Sequence, residues 1–189
     1  MADPTLDHPS LPLVKLRFPD ITFLATLFRG QTTLVVPAQA VHRVLAMLKE
    51  DRDCDYDFLS DVTCVDYLNY PGNASGNKPV GRFAVVYNLV SIRQNLRLLV
   101  KTFLDPSIDT SGIEEDPALH LPTCTDLWPG AEWREREVFD MFGIRFDDHP
   151  DLRRILTWEK YPAHPLRKDY PVRGRGERET YAVVDRDSA

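Results

Sequence analysis

The sequence predicts an α+β domain: a mostly antiparallel sheet of about five strands packed with helices, followed by an extended C-terminal arm. Three observations carry this prediction. Short apolar segments of strand length recur between residues 23 and 103, with turn-type residues between them. Two stretches, 38–49 and 131–142, place apolar residues at helical spacing. Beyond Tyr161 the chain is rich in Pro, Gly, Arg and Lys, and it has too few apolar residues for a core of its own.

Residues 1–19 read as a loosely ordered leader. Residues 23–28 and 32–36 are two strands across the turn Arg29-Gly30-Gln31. Pro37 opens a helix at its first turn, and Val41, Val44, Leu45 and Leu48 form one apolar stripe that must lie on a sheet. Residues 58–67 are a third strand, and the Gly- and Asn-rich run 70–77 is an exposed loop. In the fourth strand, 82–90, Phe83, Val85, Tyr87 and Leu89 make one face apolar. Ala84, Val86 and Val90 do the same for the other, which favours a central position. Residues 96–103 are the fifth strand. The polar run 105–116 reads as a loop, and 117–128 as a short irregular stretch. The second helix, Ala131–Phe142, is ended by Gly143 as its C-cap. Residues 151–156 suggest a further helical turn. No repeat and no second domain is visible. The expected organisation is a leader (1–19), one α+β domain (20–160) and a basic arm (161–189).

At 189 residues the chain is long enough for one real core. A formal charge of −6 argues against a general nucleic-acid binder. Cys54, Cys64 and Cys124 show no paired ligand spacing, which predicts unremarkable thiols in a reducing compartment. No apolar run approaches membrane-span length. The start, MADPTLDHPS, has neither a signal peptide's apolar region nor a transit peptide's Arg-rich character, so a cytoplasmic location is expected.

The densest mixture of aromatic and ionisable residues runs from Asp126 to Pro171. On a helical wheel, Ala131, Val138, Phe139 and Phe142 share one side of the second helix. Trp133 and Met141 lie roughly opposite. A helix apolar on two sides is buried on both, or buried on one and docked on the other. Glu135 and Glu137 point in different directions and do not converge on one substrate atom. Arg153, Arg154, Arg167 and Lys168 are their natural structural partners. The run Asp147-Asp148-His149-Pro150-Asp151 lacks a ligand framework, and a turn with a helix cap explains it as well as a metal does. His164 reads as a loop residue that positions the chain. The Arg–Gly run 167–176 allows an RNA-binding module, although an arm lying on a protein partner fits an acidic chain better. No GxGxxG, P-loop, GxSxG or HExxH motif is present.

Four runs inside this segment carry a family resemblance. They are Leu127-Trp128-Pro129; Glu135-Arg136-Glu137-Val138-Phe139-Asp140-Met141-Phe142-Gly143-Ile144; His149-Pro150-Asp151-Leu152-Arg153-Arg154-Ile155-Leu156; and His164-Pro165-Leu166-Arg167-Lys168-Asp169-Tyr170-Pro171. Their order and spacing resemble the C subunit of proton-translocating NADH:quinone oxidoreductase, the thirty-kilodalton subunit family of respiratory complex I. A looser likeness extends to about Phe18. The resemblance implies a structural and assembly subunit of the peripheral arm with no redox cofactor of its own. FMN and Fe–S clusters would then belong to partner subunits, which pass electrons from NADH to a quinone with proton translocation. It implies docking against the quinone-site subunit and its Fe–S neighbours, on the cytoplasmic side of a bacterial cell membrane, without nucleic acid. The expected docking residues are Trp133, Glu135, Arg136, Glu137, Asp140, Phe142, Arg153, Arg154, His164, Arg167, Lys168, Asp169 and Tyr170. Similar subunits occur in membrane-bound nickel–iron hydrogenases and other complex I-like oxidoreductases, which stay open as the parent complex. The segments 113–116 and 157–160 depart from the pattern where variation is expected.

Overall fold

The computed structural model describes residues 6–72 and 79–177. Its centre is a five-stranded sheet built from β1 (Leu24–Phe28), β2 (Gln31–Val35), β3 (Phe58–Asp66), β4 (Phe83–Ser91) and β5 (Leu96–Leu104), in the order β1-β2-β5-β4-β3. Within this sheet only the β2–β5 pairing is parallel. The β1–β2 turn has Arg29 at φ 49° and Gly30 at φ 77°, the doubly left-handed turn that suits the twist of a tight hairpin. Strand β4 lies between β5 and β3, and Phe83, Val85, Tyr87 and Leu89 on its inner face are fully buried. On the other face Ala84 is buried and Val86 and Val90 are half-buried, so β4 is central in the sheet and its second face is covered in part.

Helix α2 (Val41–Glu50), preceded by a 3₁₀ turn at Ala38–Ala40, buries its stripe of Val41, Val44, Leu45 and Leu48. Helix α3 (Ala131–Phe142) lies against β3. A short parallel ladder, β6 (His120–Pro122) with β7 (Arg145–Asp147), links the chain before and after α3. Three-residue strands carry too little periodicity to be read from sequence, and this ladder falls outside the expected strands for that reason.

Two local expectations are corrected. The segment expected to be a loosely ordered leader contains helix α1 (Ser10–Arg17), whose Val14 is fully buried. Ser10 Oγ meets Tyr56 Oη at 2.9 Å and the His8 ring meets the Arg97 carbonyl at 3.1 Å, so distant contacts anchor a helix with little amphipathic signal. Residues 151–156 form no helical turn. The N–H groups of Ile155, Leu156 and Thr157 turn instead toward one carboxylate oxygen of Asp140.

Candidate partner-docking site

Helix α3 organises the segment. Ala131, Val138, Met141 and Phe142 face the core. Met141, expected to share an outer apolar side with Trp133, is buried. Trp133 stands out with 68% of its surface exposed. The cause is position: residue 141 lies in the last turn, which the following chain covers.

Two carboxylates of this helix are fully buried and behave oppositely. Burial drives the Glu135 pKa up, and this outweighs hydrogen bonds from Thr123 and Cys124. Its oxygens accept from Thr123 Oγ1 at 2.5 Å and from the Cys124 N–H at 2.8 Å. Burial also pushes Asp140 upward, but Thr157, Arg154 and Leu156 outweigh it and bring that pKa below the usual carboxylate range. Asp140 Oδ1 accepts from Arg154 at 2.7 Å and from Thr157 Oγ1 at 2.5 Å. Its Oδ2 accepts the three backbone N–H groups of residues 155–157 at 3.1, 2.8 and 2.8 Å. Such a nest of consecutive N–H groups is a strong anion holder. Asp140 therefore fastens a passing strap to the helix.

The last four carbonyls of a helix lack intrahelical donors. Here the final turn is closed from outside. Gly143, left-handed at φ 74°, donates its N–H to Phe139. The Asp140 carbonyl accepts from the His164 ring at 2.9 Å and from Arg154 at 3.1 Å. The Met141 carbonyl accepts the Leu166 N–H at 3.1 Å, and the Phe142 carbonyl accepts Arg167 Nε at 2.6 Å. Cationic guanidinium groups also complement the negative end of the helix. Burial lowers the His164 pKa to about 4, so the ring is neutral and donates through Nδ1.

A second cluster ties the arm to the sheet. Arg82 pairs with Asp66 at 2.9 Å and with Asp169 at 3.0 Å. The Lys168 N–H reaches Asp66 at 2.8 Å, and Arg167 donates to the Thr110 carbonyl at 2.9 Å. Arg175 donates to the Ser111 carbonyl at 2.7 Å.

The residues expected to dock on a partner divide accordingly. Glu135, Arg136, Asp140, Phe142, His164 and Arg167 are buried within this chain, and Arg154 is engaged by Asp140. Their hydrogen-bond and ion-pair partners in this structure lie within the chain. Arg136 donates to the carbonyls of Arg153 and Arg154, and Arg153 pairs with Asp151 in solvent. The expected pairing of Glu135 with the arm's basic groups does not form. Trp133, Glu137, Arg153, Lys168 and Asp169 are exposed, and Tyr170 is half-buried against Tyr161. Beside Trp133 a groove runs to Leu156, 63% exposed, between Pro129, Glu132, Glu137 and Ile155.

Sequence reasoning missed Thr157, Asp66 and Arg82. Thr157 lies in a run expected to vary, and its role shows only once Asp140 is seen beside it. Three members of the run 147–151 bond within the chain: Asp147 meets His120 at 2.8 Å, the His149 ring contacts the Glu132 carbonyl at 3.0 Å, and Asp151 accepts from Arg153 at 2.9 Å. Among the described residues no group of three His, Cys, Asp or Glu is placed to hold a metal ion. Among them also, no helix is long and apolar enough to cross a membrane.

Residues 34–176 match the family model for the 30 Kd subunit of respiratory-chain NADH dehydrogenase. The C subunit of the NADH-quinone oxidoreductase of Citrifermentans bemidjiense is 42% identical over 171 residues, covering 89% of this chain and 91% of that protein. Its counterpart in Thiobacillus denitrificans is 40% identical over 148 residues, covering 78% and 68%. Among solved structures, a trypsin-resistant fragment of Nqo5 aligns at TM-score 0.58 and 33% identity, over 75% of this chain and 96% of the fragment. A chain of the membrane-bound sulfane sulfur reductase, an archaeal respiratory membrane complex, aligns at TM-score 0.65 over 93% of this chain and 91% of its own. At 22% identity it shares the fold. The chain with this strapped helix and this sheet belongs to the 30 kDa subunit family of respiratory-chain NADH dehydrogenase.

Proposed function

We propose that the chain is a cofactor-free, peripheral-arm subunit of a proton-translocating NADH:quinone oxidoreductase. It supports electron transfer from NADH to quinone by holding neighbouring subunits in place, chiefly the one that forms the quinone site. Family membership carries the reading, and one geometric observation supports a docking role. Glu135, Arg136, Asp140, Arg154 and Arg167 spend their charges inside the chain, whereas Trp133 and Leu156 remain outside together. Exposed aromatic and aliphatic side chains around one groove are the pattern of an interface core, with Glu137 and Arg153 as its charged rim. Under this reading FMN and Fe–S clusters reside in partner subunits, and the chain reaches the cytoplasmic face of the membrane only through them.

Affinity purification of the tagged chain from its host, with subunit identification and NADH:quinone reductase assay, tests this. The expected outcome is recovery with the other peripheral-arm subunits. Trp133→Ser, an exposed change expected to alter stability by less than ~0.5 kcal/mol, should reduce that recovery. A wild-type chain that purifies alone, or with hydrogenase subunits, would sink the proposal.

A further inference from the structure

Strands β1 and β3 form the two edges of the sheet. The β3 edge is guarded. Its register shifts between Leu59 and Asp61, Asp61 pairs with Arg134 at 2.5 Å, and α3 lies against it. Native sheets blunt their edges by such means, because a bare edge recruits further strands. Among the described residues, strand β1 has none of these devices. Its sequence Leu-Ala-Thr-Leu-Phe carries no charge and no proline, and its register with β2 is unbroken.

The hydrogen-bonding groups of β1 that no described strand pairs with are identifiable. The Val36 N–H donates to the carbonyl of Lys101 in β5, so alternation turns the N–H groups of Gln31, Thr33 and Val35 toward β1. Their partners Phe28, Thr26 and Leu24 point back at β2. Ala25 and Leu27 therefore turn their N–H and C=O groups away from the sheet. Beside Ala25 a groove opens between the hairpin and α1, lined by Leu11, Val14, Ile21, Phe23, Ala25 and Leu34. On the opposite face of β1, Leu24 and Phe28 are 57% and 69% exposed.

We propose that β1 accepts an extended, uncharged segment of a neighbouring subunit as a sixth strand, with one apolar side chain seated in the groove beside Ala25. This rests on the reading of the chain as part of a larger complex. A strand paired with β1 puts the residue opposite Ala25 on the groove side. Its sequence neighbours fall on the other face, beside Leu24 and Phe28. The edge supplies main-chain hydrogen bonds and the groove supplies selectivity, the two parts of recognition by strand addition. A second copy of this chain fits less well. Two β1 strands paired about Thr26 match over a stretch of only about 17 Å, too short to approach the ~1,200 Å² of a stable interface. Such a pair offers each groove only Leu27, which is already half-buried on its own sheet.

The test compares hydrogen–deuterium exchange of residues 24–28 in the purified complex and in the isolated full-length chain. The amides of Ala25 and Leu27 are expected to exchange at least ~100-fold more slowly in the complex, while Leu24, Thr26 and Phe28 are slow in both. Ala25→Pro removes only an outward N–H and should lower incorporation into the complex about tenfold or more. A complex that retains the chain with Ala25 and Leu27 unprotected overturns the proposal and leaves the subunit reading standing. Wild-type incorporation of a folded Ala25→Pro chain does the same. A chain that never joins a complex removes both. Protection in the isolated chain that rises with concentration, with a dimer mass, assigns the edge to a second copy and overturns it as well.

Discussion

Asp140 and His164 show how single residues here carry more structure than their chemistry suggests. Asp140 is a buried anion surrounded by donors, and His164 is a buried base kept neutral. The His164 ring takes up its proton near pH 6.5 when unfolded and only near about 4 in the fold. Between those values the unfolded chain binds more protons. The contribution of His164 is therefore complete above pH 6.5 and declines as pH falls toward 4. The span corresponds to ~3 kcal/mol by linkage. Glu135, with its pKa raised by burial, has the opposite slope above the ordinary carboxylate range, so the bare stability profile mixes the two. The difference between wild type and His164→Gln isolates the histidine: urea midpoints of the two should converge as pH drops from 7 to 4. A constant gap across that range would contradict the buried neutral ring.

At the scale of elements, α3 depends on chain that follows it. Gly143 is its pivot. A Cβ there would meet Arg167 Nη2 and lie 2.6 Å from His164 Nε2, on a backbone at φ 74°. Left-handed backbone alone costs a side-chain-bearing residue about 1–2 kcal/mol, and displacing two capping groups adds to it. Gly143→Ala should lower the melting temperature by about 5 °C or more, read by circular dichroism. An unchanged melting temperature would mean that the helix end is not held as described. The sequence made α3 and its terminator legible, because helical spacing and a glycine stop are local signals. The strap was not legible. Whether residues 151–157 wind into a turn or open around Asp140 depends on an anion 15–17 positions earlier in the chain.

For the whole molecule, the sheet order follows from pairings that local periodicity cannot report, while strand positions and the buried stripe of α2 were readable. Which charged groups bond within the chain was half readable. A run such as Arg167-Lys168-Asp169 is equally consistent with partners inside or outside the chain. Only the fold shows Arg167 turned inward to the Phe142 carbonyl and Lys168 left exposed. Residues 164–175 thus bond to the helix and the sheet, and residues 178–189 of the expected arm lie outside the described residues. Removal of the region after residue 160 would expose the Met141 and Phe142 carbonyls and leave Arg82 without Asp169. A chain stopped at residue 160 is expected to unfold at clearly lower urea concentration than the full chain. Equal midpoints would show that the region after residue 160 is a mere appendage.

The bond from the Lys168 N–H to Asp66 spans 102 positions of sequence. During synthesis, at about 5–20 residues per second, the strand that bears Asp66 waits roughly 5–20 s for the group that completes it. Throughout that interval the sheet exists with an unfinished corner and an unclosed helix. The nascent protein therefore acquires its final surface only when residues 164–169 have emerged, which sets the earliest moment at which a neighbour can recognise it.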